Sequence, residues 1–214
     1  MFTGHEFAEG GDFILAALEK EDVRASFFFT GDFYRNKAFA GLIRKLDQKA
    51  HYLGAHSDKH LLYCDWNKRD SLLVTRNQFR FDLADNYTAM ARLGLKVQKS
   101  AYFLPPYEWY NDRITTWTKE LRLQLISYTP GTRSHADYTT RSDKNYLGSE
   151  KILQSIYGYE QKSLSGLNGF ILLLHIGAGP RREDKFYHRL PELLRYLKTK
   201  GYQFQRVDDL LKPD

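Results

Sequence analysis

The chain predicts an α/β fold in which a parallel sheet is covered by helices. Three observations carry this reading. Short apolar runs alternate with longer stretches of helical period, the runs are continuously apolar instead of alternating with polar residues, and the two kinds of segment change places about seven times in the chain. Strands that are apolar on both faces belong to parallel sheets with helices packed on either side. Such a sheet closes as a barrel or stays open and doubly wound, and periodicity alone leaves both possible.

Taken in order, Phe2-Thr3-Gly4-His5-Glu6 reads as the end of a first strand whose start lies before Met1. Residues 25–29, Ala-Ser-Phe-Phe-Phe, form a buried strand closed by Thr30-Gly31. Phe39, Leu42, Ile43 and Leu46 share one face of a helix over 36–49. A short strand follows at 52–55. Phe79, Leu83, Tyr87, Met90 and Leu93 mark a long helix that stops at Gly94. Residues 101–103 form a strand broken by Pro105-Pro106, a helix surrounds Trp117, and a strand over 123–128 ends at Pro130-Gly131. Residues 129–148 make the longest polar loop. Ile152, Leu153 and Ile156 mark another helix, and 170–174, the most apolar run, reads as a central strand. Leu190, Leu193, Leu194 and Leu197 give the last helix, capped by Gly201, and 202–207 form a closing strand. One domain is expected over 1–214.

Composition narrows the function classes. Hydrophobic residues make up 42% and charged residues 27%, which supports an ordinary core and excludes a disordered or fibrous chain. The net charge of +6 would suit nucleic acid, but the basic residues are interleaved with acids, as in Arg181-Arg182-Glu183-Asp184-Lys185. No basic stripe emerges, so no nucleic-acid partner is expected. Cys64 is the single cysteine and allows no intrachain disulfide. No run approaches the roughly 20 apolar residues of a membrane span, and no signal peptide is visible.

The sharpest chemical cluster is His56-Ser57-Asp58-Lys59-His60, directly after the strand at 52–55. Strand C-termini form the site face of a parallel α/β fold. Two histidines four apart in one helical turn point the same way and can share a metal ion, although surface or capping roles fit the spacing as well. His175 ends the apolar run at 170–174 on the same face, and His5 and Glu6 end the first strand there too. Trp66 and Trp109 lie near this rim, where an aromatic plane stacks on a sugar ring, although tryptophans more often serve as core.

These segments resemble the polysaccharide deacetylase family (carbohydrate esterase family 4, the NodB-like domain). His56-Ser-Asp-Lys-His60 is similar to its His-(Ser/Thr)-x-x-His metal motif, and Ala25-Ser-Phe-Phe-Phe-Thr-Gly31 to the strand between its first two motifs. Phe103-Leu-Pro-Pro-Tyr107 resembles its Arg-Pro-Pro-Tyr loop, and Leu173-Leu-His175 its Leu-x-His motif. Lys200-Gly-Tyr-Gln-Phe204 with Val207-Asp-Asp-Leu-Leu211 resembles its C-terminal close. The resemblance runs nearly end to end and in the right order.

The resemblance implies a distorted (β/α)7, TIM-like barrel. It implies a hydrolase acting on carbon–nitrogen bonds other than peptide bonds, removing acetyl groups from an acetylated glycan by amide or ester cleavage, in a secreted or cell-envelope setting. It implies a divalent metal, zinc above all, on His56 and His60, with His175 as the acid that protonates the leaving group. Two departures fall on catalytic positions. A gapless match sets Thr3 and Gly4 where the first motif, Phe-Asp-Asp-Gly, has its two acids, and Leu104 stands where the family has the arginine that orients one of them. A shift of the first loop would bring His5 in as third metal ligand and Glu6 as general base. Tyr107, Glu108, Trp109 and Arg133 are the expected sugar contacts. The family's Asp-Trp motif is not recognisable in 129–137, where His135 and Asp137 are further candidates for sugar contact. The alternative is a catalytically degenerate domain that binds carbohydrate in the same cleft.

Overall fold

A computed structural model describes residues 1–211. Contacts divide the chain into two compact units: Met1–Ser26 with the chain from Tyr128 onward, and Phe27–Ser127.

The central unit holds β2 (Ser26–Phe29, entering from the other unit), β3 (Tyr52–Ala55), β4 (Tyr102–Phe103) and β5 (Gln124–Leu125), in the order β5-β4-β3-β2. β3 pairs with β4 and β4 with β5, both in parallel. Phe27, Phe28 and Phe29 are fully buried, so β2 hides side chains on both faces, as its unbroken aromatic run predicts. Four helices accompany the strands: α2 (Gly31–Arg35), α3 (Ala40–Gln48), α4 (Arg76–Arg92) and α5 (Asp112–Glu120). Thr30, read from sequence as a strand terminator, is the N-cap of α2; its hydroxyl accepts the Phe33 N–H at 3.1 Å. The helix expected over 36–49 divides accordingly, with a 3₁₀ turn at Lys37–Phe39 ahead of α3. α4 begins in a capping box formed by Thr75 and Gln78. It ends before Gly94, whose φ of +82° reverses the chain.

The other unit contains β1 (Phe2–Gly4) and β6 (Leu174–His175), which pair in parallel with Thr3 opposite His175. Its helices are α1 (Gly11–Lys20), α6 (Ser149–Lys162), α7 (Leu190–Thr199) and α8 (Val207–Leu210). α1 was not foreseen, although buried Ile14, Leu15 and Leu18 carry its helical period. Gly201, with φ +89°, caps α7 as its position suggests.

Three strand expectations are corrected. The run at 170–174 enters the ladder only at Leu174 and is not central, since β6 ends the strand order. Thr129 explains part of this: its N–H donates to the Ile171 carbonyl and its hydroxyl accepts the Ile171 N–H, so a side chain occupies a ladder position. The strand at 123–128 shrinks to two residues. Residues 202–206 keep a period-two burial but belong to no strand, and Val207 opens α8 with its N–H on Ser26 Oγ. Six strands, not seven, are therefore present among the described residues. No helix among them is long and apolar enough to cross a membrane.

Candidate active site

The histidine motif begins where β3 ends. The His56 N–H donates to the Phe29 carbonyl of β2 at 3.1 Å, and the side chain is buried. Its Nδ1 lies 2.8 Å from the Leu104 carbonyl. A carbonyl only accepts, so Nδ1 carries the proton and Nε2 keeps the lone pair, the tautomer of a ligating imidazole with an oriented ring. Leu104 lacks the family's guanidinium; its backbone carbonyl orients the His56 ring. The rings of His56 and His60 lie 5.0 Å apart at 64°.

They meet by a different route from the one expected. Residues 56–60 form no helix; Ser57 and His60 have φ of +71° and +55°. These are left-handed values, costing about 1–2 kcal/mol per non-glycine residue, and they persist only where neighbours enforce them. The N-terminus of α2 supplies part of the enforcement. Gly31 N–H donates to the Ser57 carbonyl at 3.1 Å and Asp32 N–H to the Asp58 carbonyl at 3.2 Å. Arg35 grips the buried Asp58 carboxylate with two bonds of 2.6 and 2.9 Å. This Arg35–Asp58 fork was invisible in the sequence.

Beside His60 stands an aromatic surface. Tyr107 packs 4.5 Å from the His60 ring, Trp66 lies 5.3 Å from Tyr107, and Trp109 lies 5.7 Å from Trp66. Arg69 covers one face of Trp109 at 4.4 Å, and the indole N–H donates to the Asp65 carbonyl. Trp66 and Tyr107 are 53% and 45% exposed, so neither serves as core. Tyr107 and Glu108 both have positive φ, which turns them out of the Pro106–Glu108 3₁₀ turn.

The second cluster lies in the other unit. His175, at the end of β6, is bound twice by Asp137: Nδ1 to Oδ1 at 2.6 Å, and backbone N–H to Oδ2 at 2.8 Å. The carboxylate accepts the Nδ1 proton and fixes the ring orientation. Tyr138 packs 4.7 Å from the imidazole. Asp137 is therefore a hydrogen-bond partner of His175, a role not read from the sequence. Buried Arg182 holds the 129–148 loop in place by donating to the carbonyls of Thr139 and Leu147. His135, the neighbouring imidazole, has its pKa lowered by burial and by Arg133 and His175. Arg133 is exposed, and its N–H donates to Ser155 Oγ.

At the end of β1, Thr3 is buried and its hydroxyl has no hydrogen-bond partner among the described residues. His5 is half-buried and Glu6 exposed, in a bend after β1.

The donor chemistry at His56 and His60 fits a divalent ion, because one tautomer is set and two imidazoles lie side by side. Among the described residues no three His, Cys, Asp or Glu are gathered to hold an ion, so a third protein ligand is not assembled.

Residues 9–126 match the family model for polysaccharide deacetylase. The chain belongs to the polysaccharide deacetylase family. It is 24% identical over 198 residues to the peptidoglycan-N-acetylmuramic acid deacetylase PdaA of Bacillus subtilis, covering 92% of this chain and 65% of that protein. The chain thus spans somewhat less than two thirds of that relative's length. A peptidoglycan N-acetylglucosamine deacetylase shares the fold with a TM-score of 0.76 and 18% identity, over 100% of this chain and 86% of that one. An acetyl xylan esterase from Clostridium thermocellum, solved with a cobalt ion, gives 0.72 and 19% over 98% and 87%. A family 4 pseudoenzyme from Bacillus anthracis gives 0.71 and 19% over 99% and 65%. A mutant related to it has restored enzymatic activity.

Proposed function

We propose that this protein is a metal-dependent hydrolase that removes acetyl groups from a bacterial cell-envelope glycan, by amide or ester cleavage. The observation that carries the reading is the histidine pair, with His56 locked through Leu104 into a ligating tautomer. His56 and His60 would hold the ion, for which zinc suits an imidazole pair best; when bound it would supply Lewis acidity toward the acetyl carbonyl. Glu6 takes a proton from the attacking water. His175, held by Asp137, gives a proton to the departing nitrogen or oxygen, so acetate and a free amine or hydroxyl leave. Tyr107, Glu108, Trp109 and Arg133 contact the sugar, and Trp66 extends the stacking surface. Similarity to peptidoglycan deacetylases supports an acetylated glycan as partner and the envelope as setting.

The experiment is acetate release from peptidoglycan strands and from acetylated xylan, with and without chelator. Release that chelator abolishes and zinc restores is the expected result. A metal-loaded protein inert on both substrates would contradict it.

A second reading is supported by Thr3 and Gly4 in place of the first motif's acids and by Leu104 in place of the arginine. In that reading the domain binds glycan without cleaving it. Affinity for the same glycans that survives both chelation and His175→Ala, with no acetate produced, would select it.

A further inference from the structure

The loop that carries the histidine pair is held from behind by a carboxylate that no motif includes. Asp82, in the middle of α4, is buried. Its Oδ2 accepts the Tyr63 hydroxyl at 2.7 Å, and its Oδ1 accepts the Lys59 N–H at 3.2 Å. Ser57 Oγ accepts the Leu61 N–H at 3.2 Å. One of the two donors on Asp82, the Lys59 N–H, therefore comes from the residues between His56 and His60. Both donors are neutral, and a buried carboxylate held by neutral donors carries a desolvation cost. Burial leads the causes that raise its pKa.

A helix residue whose carboxylate accepts a backbone N–H of the motif ties the path of that loop to the helix. Ser57 at φ +71° and His60 at φ +55° are the two left-handed residues flanking this contact. Arg35 and the α2 N-terminus secure the outer side of the same loop through Asp58. We infer that Asp82 is a positioning residue for the metal-binding pair: it enforces the left-handed loop that brings the His56 and His60 rings together. The inference rests on the reading of those histidines as ligands.

The test compares Asp82→Asn with Met90→Ala, a control in the same helix whose side chain is equally buried but touches no motif residue through a hydrogen bond. Two quantities are read in the full chain. One is cobalt(II) affinity, followed by visible absorption; the other is the imidazole ¹⁵N–¹H spectrum of the metal-free protein, assigned with His56→Ala and His60→Ala. Asparagine keeps the shape but turns donors toward donors. Cobalt binding should weaken about 10- to 100-fold in Asp82→Asn. The His56 and His60 ring signals should move, while Met90→Ala keeps wild-type values for both. Wild-type affinity in Asp82→Asn, or equal losses in both variants, would overturn the inference. If the wild type takes up no cobalt, the metal reading fails, and the ring signals decide: displaced in Asp82→Asn alone, they uphold the positioning role; unmoved, they remove it. Should Asp82→Asn not fold, Tyr63→Phe takes its place, with a smaller displacement in the same direction expected and wild-type behaviour contradicting it.

Discussion

Asp137 and His175 show what single residues contribute. A carboxylate on Nδ1 selects the tautomer and holds the ring, and replacing it by an amide leaves the shape while allowing the wrong tautomer. Asp137→Asn is expected to lower kcat for acetate release on the order of 10²-fold with KM little changed. An unaltered kcat would remove His175 from the reaction. The placement of His56, His60 and His175 at strand ends was legible because a paired-histidine spacing and a histidine after an apolar run are local patterns. Asp137 was not, because in a polar loop nothing separates an acid that reaches a histidine 38 residues away from one that is merely solvated. Arg35 and Asp82 escaped for the same reason: each meets the motif only through tertiary packing. The expected helical turn at 56–60 failed because i,i+4 spacing cannot reveal left-handed residues imposed by neighbouring elements.

At the scale of elements, the short helix α2 and the long helix α4 act as two jaws on the histidine loop. Gly31 is required where the first jaw closes, since a Cβ there would lie 1.8 Å from Asp58 Oδ1. Gly31→Ala should destabilise the protein by about 1–3 kcal/mol in urea unfolding and weaken metal binding with it. Thr75→Ala, which removes the capping box at the far end of α4, should cost about 1 kcal/mol and leave metal affinity unchanged. A loss of metal affinity in that variant would mean that the helix as a whole, and not its local contacts, sets the site. Helices were legible from their apolar period, with α1 overlooked and α2 hidden behind a Thr-Gly pair that reads as a terminator. Strands were legible in place but not in length. Apolar runs at 170–173 and 123–128 mark partly buried chain, and whether such chain joins a ladder depends on partners such as Thr129, which no local pattern identifies.

At the scale of the whole molecule, family membership was readable because several weak motifs keep their order along the chain. Activity was not, because the departures fall on the first motif and its arginine. Stability offers an independent check through Glu9, which ties the beginning of the chain to the 177–185 segment. Burial favours its protonated form, but Lys185 at 2.7 Å and the Ala178 N–H outweigh this and hold its pKa below the ordinary 4.5. A carboxylate depressed on folding contributes stability above its unfolded pKa and loses it as pH falls through the folded value. The stability gap between wild type and Lys185→Met should therefore be full above pH about 4.5 and close below it; a gap constant down to pH about 3 would show that the contact is not electrostatic. The central claim, a divalent ion on His56 and His60, is tested most directly by zinc content after saturation and gel filtration, wild type beside the His56→Ala/His60→Ala double variant. The account predicts about one equivalent per chain in the wild type and none in the variant. Equal zinc in both, or none in the wild type, would contradict it.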